Sequence, residues 1–203
     1  MTHVPPPGAK PPDPPEFLVP AAKAGDADAV AALFRSEHPV VWRLCMGFLA
    51  DRTEADDAAQ DAMLHLLDQL DRYDRSRAWA TWRNTLVLNH CRDRLRRAAA
   101  RKRAESEAVE RELPSVLPNP APAPFDVAAR GEVAELVTSS LRRLAPRERE
   151  VFVLHDLEGN ATRDVAGALA IAESTVRVLL ATARRRLREL LAPRLEGVAE
   201  PRP

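Results

Sequence analysis

Glycine is scarce in this chain, seven in 203 residues, and aromatic side chains make up only 4%. That leaves little for turn-rich, aromatic-packed β architecture, so an all-β fold is excluded. Cysteine is as sparse: Cys45 and Cys91 stand far apart, without the clustered spacing of a zinc site or a disulfide framework, and read as buried thiols in a reducing compartment. No apolar run approaches the length of a membrane span, and the start, Met1-Thr-His-Val-Pro-Pro-Pro7, lacks the charge and apolar stretch of a signal peptide. The chain therefore reads as soluble and cytoplasmic, with no membrane insertion of its own. Excess charge is missing too. Thirty basic and thirty acidic residues balance to zero, so no overall field draws the protein to polyanions and only local segregation of charge could do so.

What is abundant favours helix: alanine, leucine, arginine and glutamate dominate. Proline divides the chain. Residues 1–20 carry eight prolines and are expected to be an extended, disordered arm. A second such stretch, Leu113 to Pro124, marks a linker over residues 104–127. It separates a first domain, 21–103, from a second, 128–195, and residues 196–203 form a tail. Two small helical domains on a flexible tether is the fold class this predicts.

In the first domain, Val30, Leu33, Phe34, Val41, Leu44, Cys45 and Phe48 recur at helical spacing, with a break or kink expected at His38-Pro39. Asp51-Arg-Thr-Glu-Ala-Asp-Asp57 offers a cap and first-turn carboxylates for a second helix carrying Ala59, Ala62, Met63, Leu66 and Leu70. A third helix is expected from about Ala78 to Arg103, with Trp82, Leu86, Asn89 and Asp93 on one side. In the second domain, Pro146 suits the first turn of a helix running to Leu157, with Gly159 terminating it. Segments 162–170 and 173–191, joined by a three-residue stretch, describe a helix-turn-helix.

Charge is segregated along these elements. In the helix-turn-helix, Val165, Ala166 and Leu169 are expected to pack beneath the second helix through Ile171, Val176 and Leu180. That leaves Glu173, Ser174, Arg177 and Val178 facing a DNA groove, with Arg184, Arg185, Arg186 and Arg188 beside phosphates. The third helix ends in a second basic cluster that includes Arg92, Arg94, Arg96 and Arg97. Upstream of it, Tyr73 and Trp79 lie in or beside a loop and are candidates to stack on unpaired bases, whereas Trp82, in phase with Leu86, is assigned to packing. Residues 51–74 are mostly acidic, a face that would repel DNA and suits a protein partner. No EF-hand spacing occurs there and His65 has no histidine at i+4, so no metal, cofactor or catalytic site is assigned and the chain is not read as an enzyme.

These residues resemble a known family. Asp56-Asp57-Ala-Ala-Gln60-Asp61, Trp82 through Asn89 and Asp93-Arg-Leu-Arg-Arg97, then a proline-rich linker, are similar to a bacterial RNA polymerase sigma factor of the sigma-70 family, extracytoplasmic-function type. Leu141-Arg-Arg-Leu-Ala-Pro-Arg-Glu-Arg-Glu-Val151, Asp156-Leu-Glu-Gly159 and Ser174-Thr-Val-Arg177 extend the likeness through the second domain. The resemblance implies an all-α protein: a sigma region 2-like bundle joined to a sigma region 4-like helix-turn-helix. It implies a role in binding core RNA polymerase and directing promoter recognition and transcription initiation. Asp56, Asp57, Gln60, Asp61 and Leu64 would dock on the polymerase. Tyr73, Trp79, Asn89, Arg92, Arg96 and Arg97 would meet the minus-ten promoter element, whose flipped base the loop from Asp71 to Trp79 would capture. Glu173, Ser174, Arg177, Val178, Arg184 and Arg185 would meet the minus-thirty-five element.

The implied partners are core RNA polymerase, promoter DNA and an anti-sigma factor. The linker's roughly 25 steps reach up to ~80 Å, and about 17 base pairs of duplex rise ~58 Å, so one chain can hold both elements. Departures from the family pattern fall in the second domain. Ala170 replaces a turn glycine, at a cost on the order of 1 kcal/mol if a positive φ is required. Ala161 and Ala172 replace capping serines, for which Asn160, Thr162 or Ser174 could substitute. The competing readings are a stand-alone helix-turn-helix regulator and a sigma-like adaptor without promoter recognition.

Overall fold

The computed structural model describes residues 18–76, 78–109 and 130–196. The stretch Leu113 to Pro124, most of the amino-terminal arm and the tail from 197 lie outside the described residues. Every regular element among the described residues is helical, as the composition predicts.

Helical structure reaches into the segment expected to be an extended arm. Helix α1, Leu18–Lys23, takes in the end of the proline-rich arm. Pro20 falls in its first turn, where a missing N–H has no intrahelical acceptor to lose, and Val19 and Ala22 are buried. Helix α2, Ala27–Leu49, starts at Asp26, whose carboxylate accepts the Ala29 N–H at 2.9 Å. The break expected at His38-Pro39 does not occur. Pro39 lies inside one continuous helix, because Leu33, Val41 and Leu44, all at 0% exposure, lock both of its halves into the core. Helix α2 ends at Ala50, in the left-handed region at φ 53°.

Helix α3, Arg52–Asp68, is capped by Asp51, which accepts the Glu54 N–H at 3.1 Å. It buries the stripe Ala55, Ala58, Ala59, Ala62, Met63 and Leu66. A 3₁₀ turn, Leu70–Arg72, and a short loop lead to α4, Trp79–Val109, which runs past the boundary expected at Arg103. Its buried stripe is Trp79, Ala80, Arg83, Asn84, Val87, Leu88 and Cys91. Arg83 tolerates this because its guanidinium meets Glu37 of α2 at 2.9 Å and the Asn84 side-chain oxygen at 3.0 Å.

In the second domain, α5, Arg130–Arg142, precedes α6, Pro146–Phe152, which continues as a π-helical turn through Val153–Leu157. Glu148 accepts the Ala145 N–H at 3.1 Å and so holds the start of α6. Gly159, at φ +68°, ends the segment as expected. Helices α7, Thr162–Leu169, and α8, Glu173–Glu196, form the helix-turn-helix. Val165, Ala166, Leu169, Val176 and Leu180 are buried between them. Ala170 adopts φ 53°, so the condition under which this turn position carries a strain cost is met. Ala161 caps α7 without a side-chain bond, and Asn160 instead serves the preceding turn by donating to the Leu154 carbonyl at 2.6 Å.

The two domains pack together. Val151, Val153, Leu154, Val165, Leu169 and Val176 of the second share one buried cluster with Leu33, Leu44, Phe48, Val87, Leu88 and Cys91 of the first. At Gly47 in α2 the approach is so close that a Cβ would lie 2.8 Å from a Val153 methyl. Ion pairs ring the junction: Arg43 with Glu158 at 3.3 Å, Arg142 with Asp51 at 2.8 Å, and Arg92 with Glu150 at 2.6 Å.

Candidate nucleic-acid and protein interfaces

Helix α3 buries alanines on one side and presents Asp57, Gln60, Asp61 and Leu64 on the other, at i, i+3, i+4 and i+7. Leu64 is 56% exposed, an apolar side chain set among carboxylates. The five residues expected to meet the polymerase are all exposed, but two are already engaged. The Asp56 carboxylate accepts the Trp42 indole N–H at 2.6 Å. Arg94 reaches from α4 to Asp61 and Glu54, each at 2.9 Å. Arg94, grouped by sequence with a DNA-facing cluster, is thus turned towards α3 and steadies its acidic face. Its hydrogen bond to Glu54 raises its pKa against a smaller opposing effect of burial, so the charge is fixed.

Trp79, expected at a stacking position, is buried instead, whereas Trp82 packs against the core as expected and leaves one side open. Trp79 is 5% exposed, and its ring is flanked by Tyr73 and Trp82, with centroids 5.0 and 5.1 Å away. As the first residue of α4 it belongs to the buried stripe, and its ring is not presented for stacking. Trp82 is the half-buried one, facing a groove of about 820 Å³ between α3 and α4. His65, Gln69, Arg72, Trp82, Leu86, Asn89, Asp93 and Arg97 line it, with Gly167 of α7 at one side. An aromatic face, amide donors and acceptors, and two guanidinium groups are the chemistry a single unstacked base with its phosphate requires.

Support for this groove comes partly from residues the sequence did not single out. Lys23 of α1 donates to the carbonyls of Asp71 and Tyr73, at 3.4 and 3.1 Å, and pins the loop that enters α4. Within that loop Asp74 accepts the Ser76 N–H at 2.9 Å and its hydroxyl at 2.6 Å. Asn89 and Arg97 are exposed at the groove, and Arg96 pairs with Asp93 at 2.6 Å. Arg92 is turned away from solvent into a two-pronged bond with Glu150, at 2.7 and 2.6 Å. Burial lowers the pKa of His90 despite the nearby Asp61 carboxylate, which keeps the imidazole neutral near pH 7.

On α8, Glu173, Ser174, Arg177 and Val178 lie near the amino-terminal end, as expected. Val178 is 66% exposed, and Arg177 bonds Glu173 at 3.0 Å. The arginine run further along is only partly available. Arg184 is held by both oxygens of Asp156, at 2.8 and 2.6 Å, and Arg186 by Glu148 at 2.7 Å. Arg185 is exposed, with no ion pair among the described residues. Burial alone would raise the Asp156 pKa, but the Arg184 and His155 bonds outweigh it and hold the carboxyl below its ordinary value.

Cys45 and Cys91, far apart in sequence and buried as expected, meet across α2 and α4 with sulfurs 3.8 Å apart. The mutual hydrogen bond and burial push the Cys91 thiol far up, which leaves it a poor nucleophile. Among the described residues no three His, Cys, Asp or Glu side chains are placed to hold a metal ion. No single helix among them is long and apolar enough to cross a membrane.

Known proteins share both halves of this arrangement. Residues 33–101 match the sigma-70 region 2 family and residues 134–187 match sigma-70 region 4. The ECF RNA polymerase sigma factor SigM of Mycobacterium tuberculosis is 37% identical over 183 residues, which cover 89% of this chain and 86% of that one. CnrH of Cupriavidus metallidurans, an RNA polymerase sigma factor, is 29% identical over 89% of this chain and 96% of its own length. The solved structure of CnrH in complex with the cytosolic domain of CnrY superposes with a TM-score of 0.62 at 25% identity, covering 87% of this chain and 96% of that one. The sigma factor RpoE of Bartonella quintana, in complex with the anti-sigma factor NepR, shares the fold, with a TM-score of 0.61 at 21% identity over 78% of this chain and 94% of that one. With two family domains in order and this degree of identity along nearly the whole chain, the protein belongs to the ECF sigma factors of the sigma-70 family.

Proposed function

We propose that this sigma factor docks on core RNA polymerase through the exposed face of α3 and reads the minus-ten promoter element with the groove of α4 and the minus-thirty-five element with α8. One observation carries the assignment: an acidic helix face with a bare leucine sits beside a groove that combines Trp82, Asn89 and two arginines. The first suits a protein and the second suits nucleic acid. Asp57, Gln60 and Leu64 form the centre of the polymerase contact, with Asp56 and Asp61 at its margin, each already held by one bond.

In the groove, Asn89 supplies the hydrogen bonds to a flipped base and Trp82 the stacking surface. Tyr73 and Trp79 shape the pocket from behind, and Arg92, Arg96 and Arg97 meet the backbone. Unstacking a base costs a few kcal/mol, and stacking on an aromatic ring returns ~1–3 kcal/mol, so opening needs no nucleotide hydrolysis by this chain. On α8, Glu173, Ser174, Arg177 and Val178 face bases, while Arg184 and Arg185 meet phosphates. The protein acts in the cytoplasm, catalyses no reaction itself, uses no cofactor or metal and borrows the polymerase active centre. As with the RpoE solved with the anti-sigma factor NepR, its own regulator is an anti-sigma factor that competes for these surfaces.

Reconstitution with bacterial core polymerase on a genomic fragment library, with transcript starts mapped, tests the reading. Initiation from a defined promoter set only in the presence of both components is the expected result. The Asp57→Asn/Leu64→Ala double variant should weaken polymerase binding about ten-fold. Specific binding of duplex DNA by the chain alone, with no effect on the polymerase, would instead indicate a stand-alone regulator.

A further inference from the structure

Cys45 and Cys91 are the only cysteines of the chain, and promoter recognition as derived above uses neither. They lie 46 residues apart on different helices, yet the Cys91 thiol donates to the Cys45 sulfur at 3.8 Å. Both are buried, at 0% and 1% exposure. The hydrogen bond means that the two side chains already face one another. Closing the gap to the ~2.0 Å of a disulfide takes side-chain rotation and a small approach of α4 to α2. In a reducing compartment the resting pair is a dithiol, and disulfides formed there are mostly transient and redox-sensing.

Burial selects the oxidant. A bulky disulfide such as oxidised glutathione cannot reach either sulfur, whereas hydrogen peroxide is small and uncharged. The hydrogen bond and burial keep the Cys91 thiol protonated, so the reaction is slow and depends on brief opening of the pair. Peroxide converts one thiol to a sulfenic acid and releases one water. The neighbouring thiol then attacks that sulfur, the S–S bond forms, and the sulfenic hydroxyl departs with the thiol proton as a second water. The two sulfurs together lose two electrons, which reduce the O–O bond of the peroxide. Enclosure favours this ending over others, because the sulfenic acid has its partner sulfur beside it and external thiols are kept out.

The bond would act on the groove through α4. Cys91 faces the core two residues after Asn89, which is exposed on the opposite side of the same helical turn. Drawing Cys91 towards α2 therefore draws Asn89 back from the groove it lines.

We propose that Cys45 and Cys91 form a peroxide-responsive dithiol whose disulfide ties α4 to α2 and withdraws Asn89 from the groove, so that the oxidised protein still binds core polymerase but initiates poorly. Its effect on initiation rests on the minus-ten assignment of Asn89; formation of the bond does not.

The full chain is treated with hydrogen peroxide, freed of it by gel filtration and alkylated, and the Cys45–Cys91 cross-link is sought by non-reducing peptide mass mapping. A second portion, not alkylated, joins untreated core polymerase for abortive transcription and native gel shift. The treated wild type should carry the cross-link and assemble normally, yet initiate roughly ten-fold less, and dithiothreitol should restore it. Cys45→Ala, or Cys45→Ser should circular dichroism show the alanine variant unfolded, should keep its initiation through the same treatment. Absence of the cross-link, full initiation by the cross-linked chain, loss of assembly on oxidation, or an equal peroxide effect in the Cys45 variant would each overturn the proposal. Reduced Asn89→Ala separates the two readings. Its normal initiation would remove the minus-ten assignment and with it the route by which the bond acts; an impaired Asn89→Ala beside a fully active cross-linked wild type would overturn the redox proposal alone.

Discussion

Two alanines in this chain adopt the same disfavoured backbone, and they separate conformational strain from packing. Ala50 and Ala170 both lie at φ 53°, each ending a helix in the left-handed region. For a residue with a Cβ this costs roughly 1–2 kcal/mol, of which glycine recovers about 1 kcal/mol after its extra freedom in the unfolded chain is counted. Ala170 is exposed in the turn of the helix-turn-helix, so its methyl group packs against little. Ala170→Gly should therefore stabilise the protein by about 1 kcal/mol, a rise of roughly 2–4 °C in melting temperature for a cooperative unit of this size. Ala50 is at 0% exposure, clustered with Leu141, Leu144, Ala183 and Leu187. Deleting its buried methyl forfeits about 0.8 kcal/mol, so Ala50→Gly should come out near neutral. Parallel urea titrations of both variants and the parent decide the matter. A destabilised Ala170→Gly, or an Ala50→Gly that gains as much as Ala170→Gly, would show that the strain argument is wrong.

Further outcomes follow from the same geometry. Arg83→Met strands the buried Glu37 carboxylate and should cost about 3–5 kcal/mol in urea unfolding, whereas Arg83→Met with Glu37→Leu should recover most of the loss. Asp156 has a depressed pKa in the folded state. Its contribution is thus fully present above the ordinary carboxylate value of 3.8 and is lost as pH falls below it towards the folded value. Asp156→Asn should flatten this acid limb of the stability curve measured by thermal melts, and an unchanged limb would remove Asp156 from the account. Asn89→Ala should lower initiation at least ten-fold while leaving polymerase association intact, as read by abortive transcription alongside native gel shift; full activity would remove Asn89 from the groove.

How far the fold was legible depended on whether each signal was local. The Asp51 cap of α3, the proline and glycine punctuation of α6, and the helix-turn-helix are written within a few adjacent residues, and they were read correctly, whereas the side-chain cap expected for α7 is absent. The buried stripe of α4 was not, because Arg83 and Asn84 sit in the middle of it. A stripe containing a cation scores as surface, so Trp79 was assigned to stacking, while Trp82 and Leu86, assigned to packing, do pack against the edge of the core. The compensating carboxylate, Glu37, lies 46 residues away, where no periodicity can reveal it. The same separation hid the meeting of Cys45 with Cys91. Pro39 misled for a related reason: local propensity argued for a break, and long-range packing of both helical halves overruled it.

The candidate site was legible as a set of residues but not as a state. Sequence places Arg92, Arg94, Arg96, Arg184 and Arg186 in basic clusters, and folding pairs each with a carboxylate. At these five arginines charge is balanced pair by pair, and DNA binding there becomes an exchange in which phosphates displace Glu150 or Asp156. An exchanged arginine still releases DNA counterions, but the freed carboxylate regains its own, so the net release per contact is smaller than for a free cation. The salt dependence of promoter binding should accordingly be shallower than the number of arginines at the interface suggests. Replacing Asp156 by asparagine should steepen it, which salt titrations of holoenzyme binding to a minus-thirty-five duplex would detect. Equal slopes for parent and variant would mean that Arg184 does not exchange Asp156 for a phosphate.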